Sequence, residues 1–209
     1  MTQYKIPNAT IKRLPLYYRY FQFLDDSNKQ KISSNELAQA LQIDSATIRR
    51  DFSYFGSLGK RGYGYDIKLM LGFFKELLNQ DKTANVALVG VGNLGSALLN
   101  YNFSQTNNIK IVEAFDKNPK IIGETVHDVP VYDIADVKQH LKEQNIDVVI
   151  LSVPVKSAQQ VTKQLVAADV RGILNFTPLR LSTPDSIRVH NVDLANELQT
   201  LIYFLNNYN

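Results

Sequence analysis

The chain has 209 residues, 44% hydrophobic and 21% charged, with a formal net charge of +3, values ordinary for a soluble protein of one small and one medium domain. No apolar run approaches the roughly 18 residues of a membrane span, and MTQYKIPNAT lacks the apolar region of a secretion signal. Cysteine is absent, which excludes disulfides and thiolate chemistry; the expected compartment is the cytoplasm, and any redox sensing needs a bound molecule. The charge is uneven. Residues 1–82 carry 13 Lys+Arg against 8 Asp+Glu, a balance of +5, while residues 83–209 carry 10 against 12, a balance of −2. A basic N-terminal part suits a polyanionic partner.

In chain order, residues 8–26 predict a helix, with Leu14, Tyr17, Tyr18, Phe21 and Leu24 at helical spacing and Pro15 tolerable only near its first turns. A second helix opens at Ser33, which with Glu36 forms a capping box ahead of Leu37, Ala38 and Leu41. Asp44 or Ser45 caps a third through about Phe55, burying Ile48, Phe52 and Phe55 and pointing Arg49 and Arg50 outward. Gly56 to Tyr65, with four interspersed glycines, predicts a hairpin wing after a helix-turn-helix. Asp66 caps a linking helix to about Asn79, and NQDKTAN marks the domain boundary.

Beyond it strands and helices alternate: strands at 86–90, 109–115, 129–132, 147–153, 172–176 and 187–192, and helices at 93–104, 133–144 and 157–168. Continuous apolar strands between helices predict a parallel sheet covered on both faces. The last helix, 193–207, capped by Asp193, is apolar enough to require a partner surface.

Gly90, Val91, Gly92, Asn93, Leu94 and Gly95 form a GxGxxG directly after a strand and opening a helix. The first glycine permits the tight turn, the second lets a pyrophosphate approach the backbone, and the third allows close helix packing. Asp116 stands 21 positions after Gly95, where a carboxylate can hold both ribose hydroxyls and repel a 2′-phosphate, favouring NAD over NADP; the adjacent Lys117 softens that preference. Ser152-Val153-Pro154 and Asn175-Phe176-Thr177-Pro178 end two later strands and are candidate walls for the nicotinamide.

In a helix-turn-helix the second helix enters the major groove with its N-terminal residues on base edges. Ser45, Thr47, Arg49 and Arg50 occupy that part here, and Lys60, Arg61 and Gly62 lie on the wing, able to follow the backbone or enter the minor groove. Asp51 is expected to orient the two arginines. A solvated helix face is the plain alternative for such an Arg pair, but residues 49–61 concentrate four cations beside a loop with no core-building role.

Taken together, Arg13-Leu14-Pro15 with Tyr17-Tyr18-Arg19, Ile48 through Gly56, Arg61-Gly62-Tyr63-Gly64-Tyr65, the GVGNLG turn, Asn175 through Pro178 and Asn191-Val192-Asp193 resemble, in order, the Rex family of redox-sensing transcriptional repressors. The resemblance covers essentially the whole chain. It implies an α/β protein with an N-terminal winged-helix DNA-binding domain (1–80), a Rossmann-type NAD(H)-binding domain (81–192) and a domain-swapped C-terminal helix (193–209) in a homodimer. It implies repression through a palindromic double-stranded operator while NADH is scarce relative to NAD+, and release by NADH. Arg50 would read bases, Arg49 and Arg61 would hold DNA, and Arg19, Tyr101 and Asp193 would make the switch contacts. Leu194 departs from the aromatic expected beside the switch aspartate.

Two other readings compete. An NAD-dependent oxidoreductase needs a substrate domain and a proton relay, whereas too few residues follow 178 and none of His127, His140 and His190 sits in a motif tying it to a nicotinamide; no catalytic residue and no metal site are expected. A CoA-responsive regulator is the other, because the nucleotide half also resembles CoA-binding domains and Asp116 accepts an adenosine diphosphate with another tail.

Overall fold

A computed structural model of the chain describes residues 6–56, 58, 59, 63–101, 103 and 108–207. The chain divides into two compact units, the division falling between Lys82 and Thr83.

The first unit opens with α1 (Asn8–Asp26), which continues without a break past Pro15, its eighth residue. A proline there costs about 3 kcal/mol through its missing amide and ring clash. Burial of Leu14, Tyr17, Tyr18, Phe21 and Leu24 along one face offsets that deeper in the helix than the sequence pattern allows. After β1 (Lys31–Ile32) comes α2 (Ser34–Leu41), headed by the expected capping box: Glu36 N–H donates to Ser33 Oγ at 3.1 Å and Ser33 N–H to Glu36 Oε2 at 2.7 Å. Asp44 caps α3 (Ser45–Ser53), accepting from the amides of Ala46 and Thr47. The helix stops two residues short of Phe55, which is half-buried.

Then β2 (Tyr65–Asp66) pairs antiparallel with β1, and Asp66 caps α4 (Ile67–Leu77) through Leu69 N–H. Of the expected wing, residues 57 and 60–62 lie outside the described residues. Gly64 at its base has φ +73°, and a Cβ there would stand 2.6 Å from Ile32 O, so this glycine lets the strand pair close. Phe52 centres the core, with Tyr17 edge-on at 5.0 Å, Tyr65 at 4.9 Å and Phe74 at 5.7 Å.

Asp51 does not orient Arg49 and Arg50. On α3 it shares a face with Ile48 and Phe52 at helical spacing, and the fold turns that face inward. Asp51 is 1% exposed and accepts from Thr10 Oγ1 at 2.7 Å, Tyr17 Oη at 2.6 Å, and Arg13 Nε and Nη2 at 2.6 and 2.7 Å. Burial by itself would raise its carboxyl, but the donors from Arg13, Tyr17 and Thr10 outweigh it and hold the group below the ordinary carboxylate range.

Among the described residues the second unit is built on a seven-stranded sheet. Its elements are β3 (Ala84–Val89), α5 (Asn93–Asn100), β4 (Ile109–Asp116), β5 (Thr125–Val126), β6 (Val129–Asp133), a 3-10 turn (Ile134–Asp136) with α6 (Val137–Glu143), β7 (Val148–Leu151), α7 (Val155–Ala167), β8 (Gly172–Asn175), β9 (Arg188–Asn191) and α8 (Leu194–Asn207). The order is β5-β6-β4-β3-β7-β8-β9. All neighbours are parallel except β5 and β6, so the six parallel strands follow the doubly wound order 3-2-1-4-5-6. Alternate residues of the strands feed two cores: Ala87, Val89, Phe115, Val149 and Leu151 pack with α6 and α7, and Val86, Leu88, Ala114 and Ile150 pack with α5.

The pattern misses β5, a two-residue strand. Its hairpin turn puts His127 and Asp128 at φ 50° and 65° without a glycine, removing the usual hairpin signal. In β4 a bulge breaks the alternation. Glu113 there is buried and sits 3.3 Å from His140 Nδ1, so this histidine is a core partner.

The Asp51 cluster makes a definite prediction. Asp51→Asn keeps the shape but leaves the Arg13 charge without its partner, a loss of about 2–3 kcal/mol in urea unfolding of the first unit. Because the folded carboxyl lies below its unfolded value of about 3.9, its contribution is complete above that value and is lost as pH falls through the depressed one. The stability difference between wild type and variant is therefore flat above about pH 5 and shrinks below about pH 4; a difference independent of pH down to 2 would contradict the assignment.

Candidate nucleotide site and nucleic-acid interface

Strands β3 and β7 are neighbours, but the chain leaves them toward opposite halves of the sheet, and a crevice opens at their carboxyl ends. Gly90 follows β3 at φ +99°, and a Cβ on it would stand 2.6 Å from Ser152 O. Ser152 Oγ donates to Gly90 O at 2.9 Å. A Cβ on Gly95 would lie 1.9 Å from that same Gly90 oxygen, so α5 packs on the turn with no side chain between. Gly92 differs: it heads α5, and a Cβ on it would meet nothing within 4 Å.

The resulting cavity, about 400 Å³, is lined by Gly90, Val91, Gly92, Asn93, Leu94, Asp116, Lys117, Val153 and Pro154, together with Ser152. Gly95 lies outside the lining, in its packing position. Asn118, Ile121 and Ile134, in the turns after β4 and β6, and Ser157 and Val161, on α7, also line it and were not legible, because no motif spacing reaches these segments. Asp116 accepts Val91 N–H on Oδ2 at 2.7 Å, and Lys117 and Asn118 N–H on Oδ1 at 2.8 and 2.9 Å. Of the roughly four acceptor positions of a carboxylate, these bonds leave about one, where the sequence suggests two ribose hydroxyls on it.

Asn175 through Pro178 are not among the lining residues. Asn175 is fully buried, and its Nδ2 donates to Leu179 O and Asn191 Oδ1, both at 2.8 Å, while its Oδ1 accepts from Thr177 N and Oγ1 at 3.0 and 2.7 Å. This side chain organises a turn.

In the first unit α2 and α3 form the helix-turn-helix. Arg49 and Arg50 are exposed, and Ser45 and Thr47 are half-buried near the head of α3. Arg49 Nη1 donates to Ser34 Oγ and Ser45 Oγ, both at 3.2 Å, which gathers the first residues of both helices around one guanidinium. Arg50 has no side-chain hydrogen bond or ion pair among the described residues. Lys31 lies 5.6 Å from the ring of Tyr63, which is 71% exposed. Lys60, Arg61 and Gly62 lie outside the described residues.

Arg19 is exposed on α1. Tyr101 ends α5, exposed, with its ring 4.6 Å from that of Phe103. Asp193 Oδ1 accepts Asn196 N–H at 3.1 Å, capping α8. No side chain of α8 is buried in the chain, and Leu194, Leu198, Leu201, Ile202, Phe204 and Leu205 are each 48–59% exposed. Among the described residues no three His, Asp or Glu side chains gather in a metal-ligating group, and no helix is long and apolar enough to cross a membrane.

Residues 5–53 match the family model described as "Putative DNA-binding protein N-terminus", and residues 81–179 match "CoA binding domain". The redox-sensing transcriptional repressor Rex of Lactobacillus gasseri is 63% identical, covering 98% of this chain and 96% of its own; that of Listeria welshimeri is 58% identical, covering 98% and 95%. Among solved structures, RSP in complex with β-NAD+ and operator DNA has a TM-score of 0.90 at 36% identity over 96% of this chain and 93% of its own. RSP in complex with β-NADH has 0.86 at 34% identity over 97% and 95%. This chain therefore belongs to the Rex family of redox-sensing transcriptional repressors.

Proposed function

We propose that this chain represses transcription from a palindromic double-stranded operator while NADH is scarce relative to NAD+, and that NADH entering the β3/β7 crevice releases it. The observation that carries this reading is the joining, in one chain, of a glycine turn with an open backbone approach at Gly92 and a helix-turn-helix presenting an uncommitted Arg50. Residues 1–80 serve DNA, 81–192 the nucleotide, and 193–209 a second copy, in a cytoplasmic homodimer. The pyrophosphate lies on the amides at the head of α5, Asp116 selects against a 2′-phosphate, and Val153 and Pro154 flank the nicotinamide. NADH and NAD+ differ by a hydride, and a neutral ring enters walls of Val, Ile and Pro that a cationic ring enters at greater cost. On the DNA side Ser45, Thr47 and Arg49 position the duplex and Arg50 reads bases, with Lys60, Arg61 and Gly62 on the wing. Arg19, Tyr101 and Asp193 form the switch, the Asp193 carboxylate changing partner between states. A CoA-responsive regulator is the second reading, favoured by the match of residues 81–179.

The glycines separate binding from folding. Gly92→Val meets open space, so its unliganded stability stays within about 1 kcal/mol of wild type while it binds operator and ignores NADH; Gly95→Ala collides with backbone and loses about 3 kcal/mol. NADH release of Gly92→Val at wild-type concentrations would place the nucleotide elsewhere, and release by CoA but not NADH would favour the second reading.

Arg50→Ala is expected to lose discrimination between operator and random DNA with NADH affinity unchanged, by about 1–3 kcal/mol. Arg61→Ala instead weakens binding to all sequences and lowers the salt slope by about one. Gel-shift titrations over a salt series measure both.

A further inference from the structure

Residues 176–187 join two parallel strands, β8 and β9, with no helix or strand between them. Two amide side chains hold this segment. Gln159 on α7 clips its far part, donating to Ser182 O at 3.0 Å and accepting Ser182 N–H at 2.9 Å. Asn175 holds the near part, as described above, and makes two contacts beyond it: its Nδ2 donates to Asn191 Oδ1, and its backbone carbonyl accepts Val192 N–H at 2.8 Å.

These bonds lie in a continuous series. The crevice wall Ser152 is bonded to Gly90 O, and the preceding residue, Leu151, accepts Phe176 N–H at 2.9 Å. Phe176 adjoins Asn175; Asn175 holds Asn191 and Val192; the next residue is Asp193, which caps the exposed apolar helix α8. A buried amide has two donors and two acceptor positions; here Oδ1 and one donor serve the turn after β8, and the other donor serves Asn191 at the entry to α8. A staple needed only for the turn would have no call on Asn191, whose side chain is exposed at the end of β9.

We propose that Asn175 is the positioning residue of the nucleotide response: it transmits the state of the Ser152–Pro154 wall to the head of α8 through Asn191 and Val192. It touches neither nucleotide nor DNA. The inference rests on the function proposed above and names a joint within it. Coupling between sites needs an element with two arrangements, and the Asn175–Asn191 bond, made in one and broken in the other, supplies one.

The test is the ratio of operator affinities of the full-length chain without and with saturating NADH. Asn175→Ala empties a buried polar site and risks misfolding, so the informative variant is Asn191→Ala, which removes one exposed partner and leaves the turn intact. Asn191→Ala is expected to keep its thermal midpoint, its operator affinity without NADH and its NADH affinity without operator within about twofold of wild type where these are affinities, while the ratio, within the usual 5- to 150-fold range in wild type, falls at least fivefold. Asn175→Asp, which keeps the acceptor for Thr177 but not the donors to Leu179 and Asn191, is expected to lose the same coupling. An Asn191→Ala chain as responsive as wild type overturns this inference alone. A wild-type chain whose operator affinity ignores NADH overturns the functional reading and this inference with it.

Discussion

The nucleotide half depends on one close approach. Gly90 O occupies the space that a side chain on Gly95 would need, and Ser152 Oγ fixes that same oxygen from the neighbouring strand. Strand, turn and helix meet there as bare backbone, which brings the head of α5 over the point where the strand order reverses. Free amides then face a crevice with mostly aliphatic walls. In the function proposed above, an anionic diphosphate bridging to a flat ring takes this place, next to the open space at Gly92.

The DNA-binding half is organised around a buried charge. Asp51 gathers Thr10, Arg13 and Tyr17 of α1 onto α3, so the helix that presents Arg49 and Arg50 is held to the longest helix of its unit. A charge so enclosed is costly to bury without its partners. Its satisfied cluster fixes the rotation of α3, and that rotation decides which side chains point outward. Arg49 braces the heads of α2 and α3 through Ser34 and Ser45, whereas Arg50 stands apart. Adjacent arginines thus have different mechanical roles.

The histidines bear on the enzymatic alternative. His140 is drawn into the core beside Glu113 and 3.9 Å from the ring of Tyr132, His127 sits in a tight turn, and none of the three lines the crevice. Membership of a family of repressors, shown by relatives 58–63% identical over nearly the whole chain, is what weighs against the enzymatic alternative.

Local chemistry was legible wherever it acts within a few residues. The capping box at Ser33, the Asp44 and Asp66 caps, the apolar strands and the glycine turn were all readable, because side chains three or four apart meet on a helix and backbone freedom is set residue by residue. Pairings between distant segments were not. The pairing of β1 with β2 and the burial of Asp51 rest on contacts tens of residues apart, where a charged residue on a helix reads the same whether it faces water or a partner. Likewise, the sequence placed Asn175 at a strand end beside the ligand edge, but only the tertiary structure made it a buried clasp, because its acceptors on Leu179 and Asn191 converge on it once β8 and β9 lie side by side.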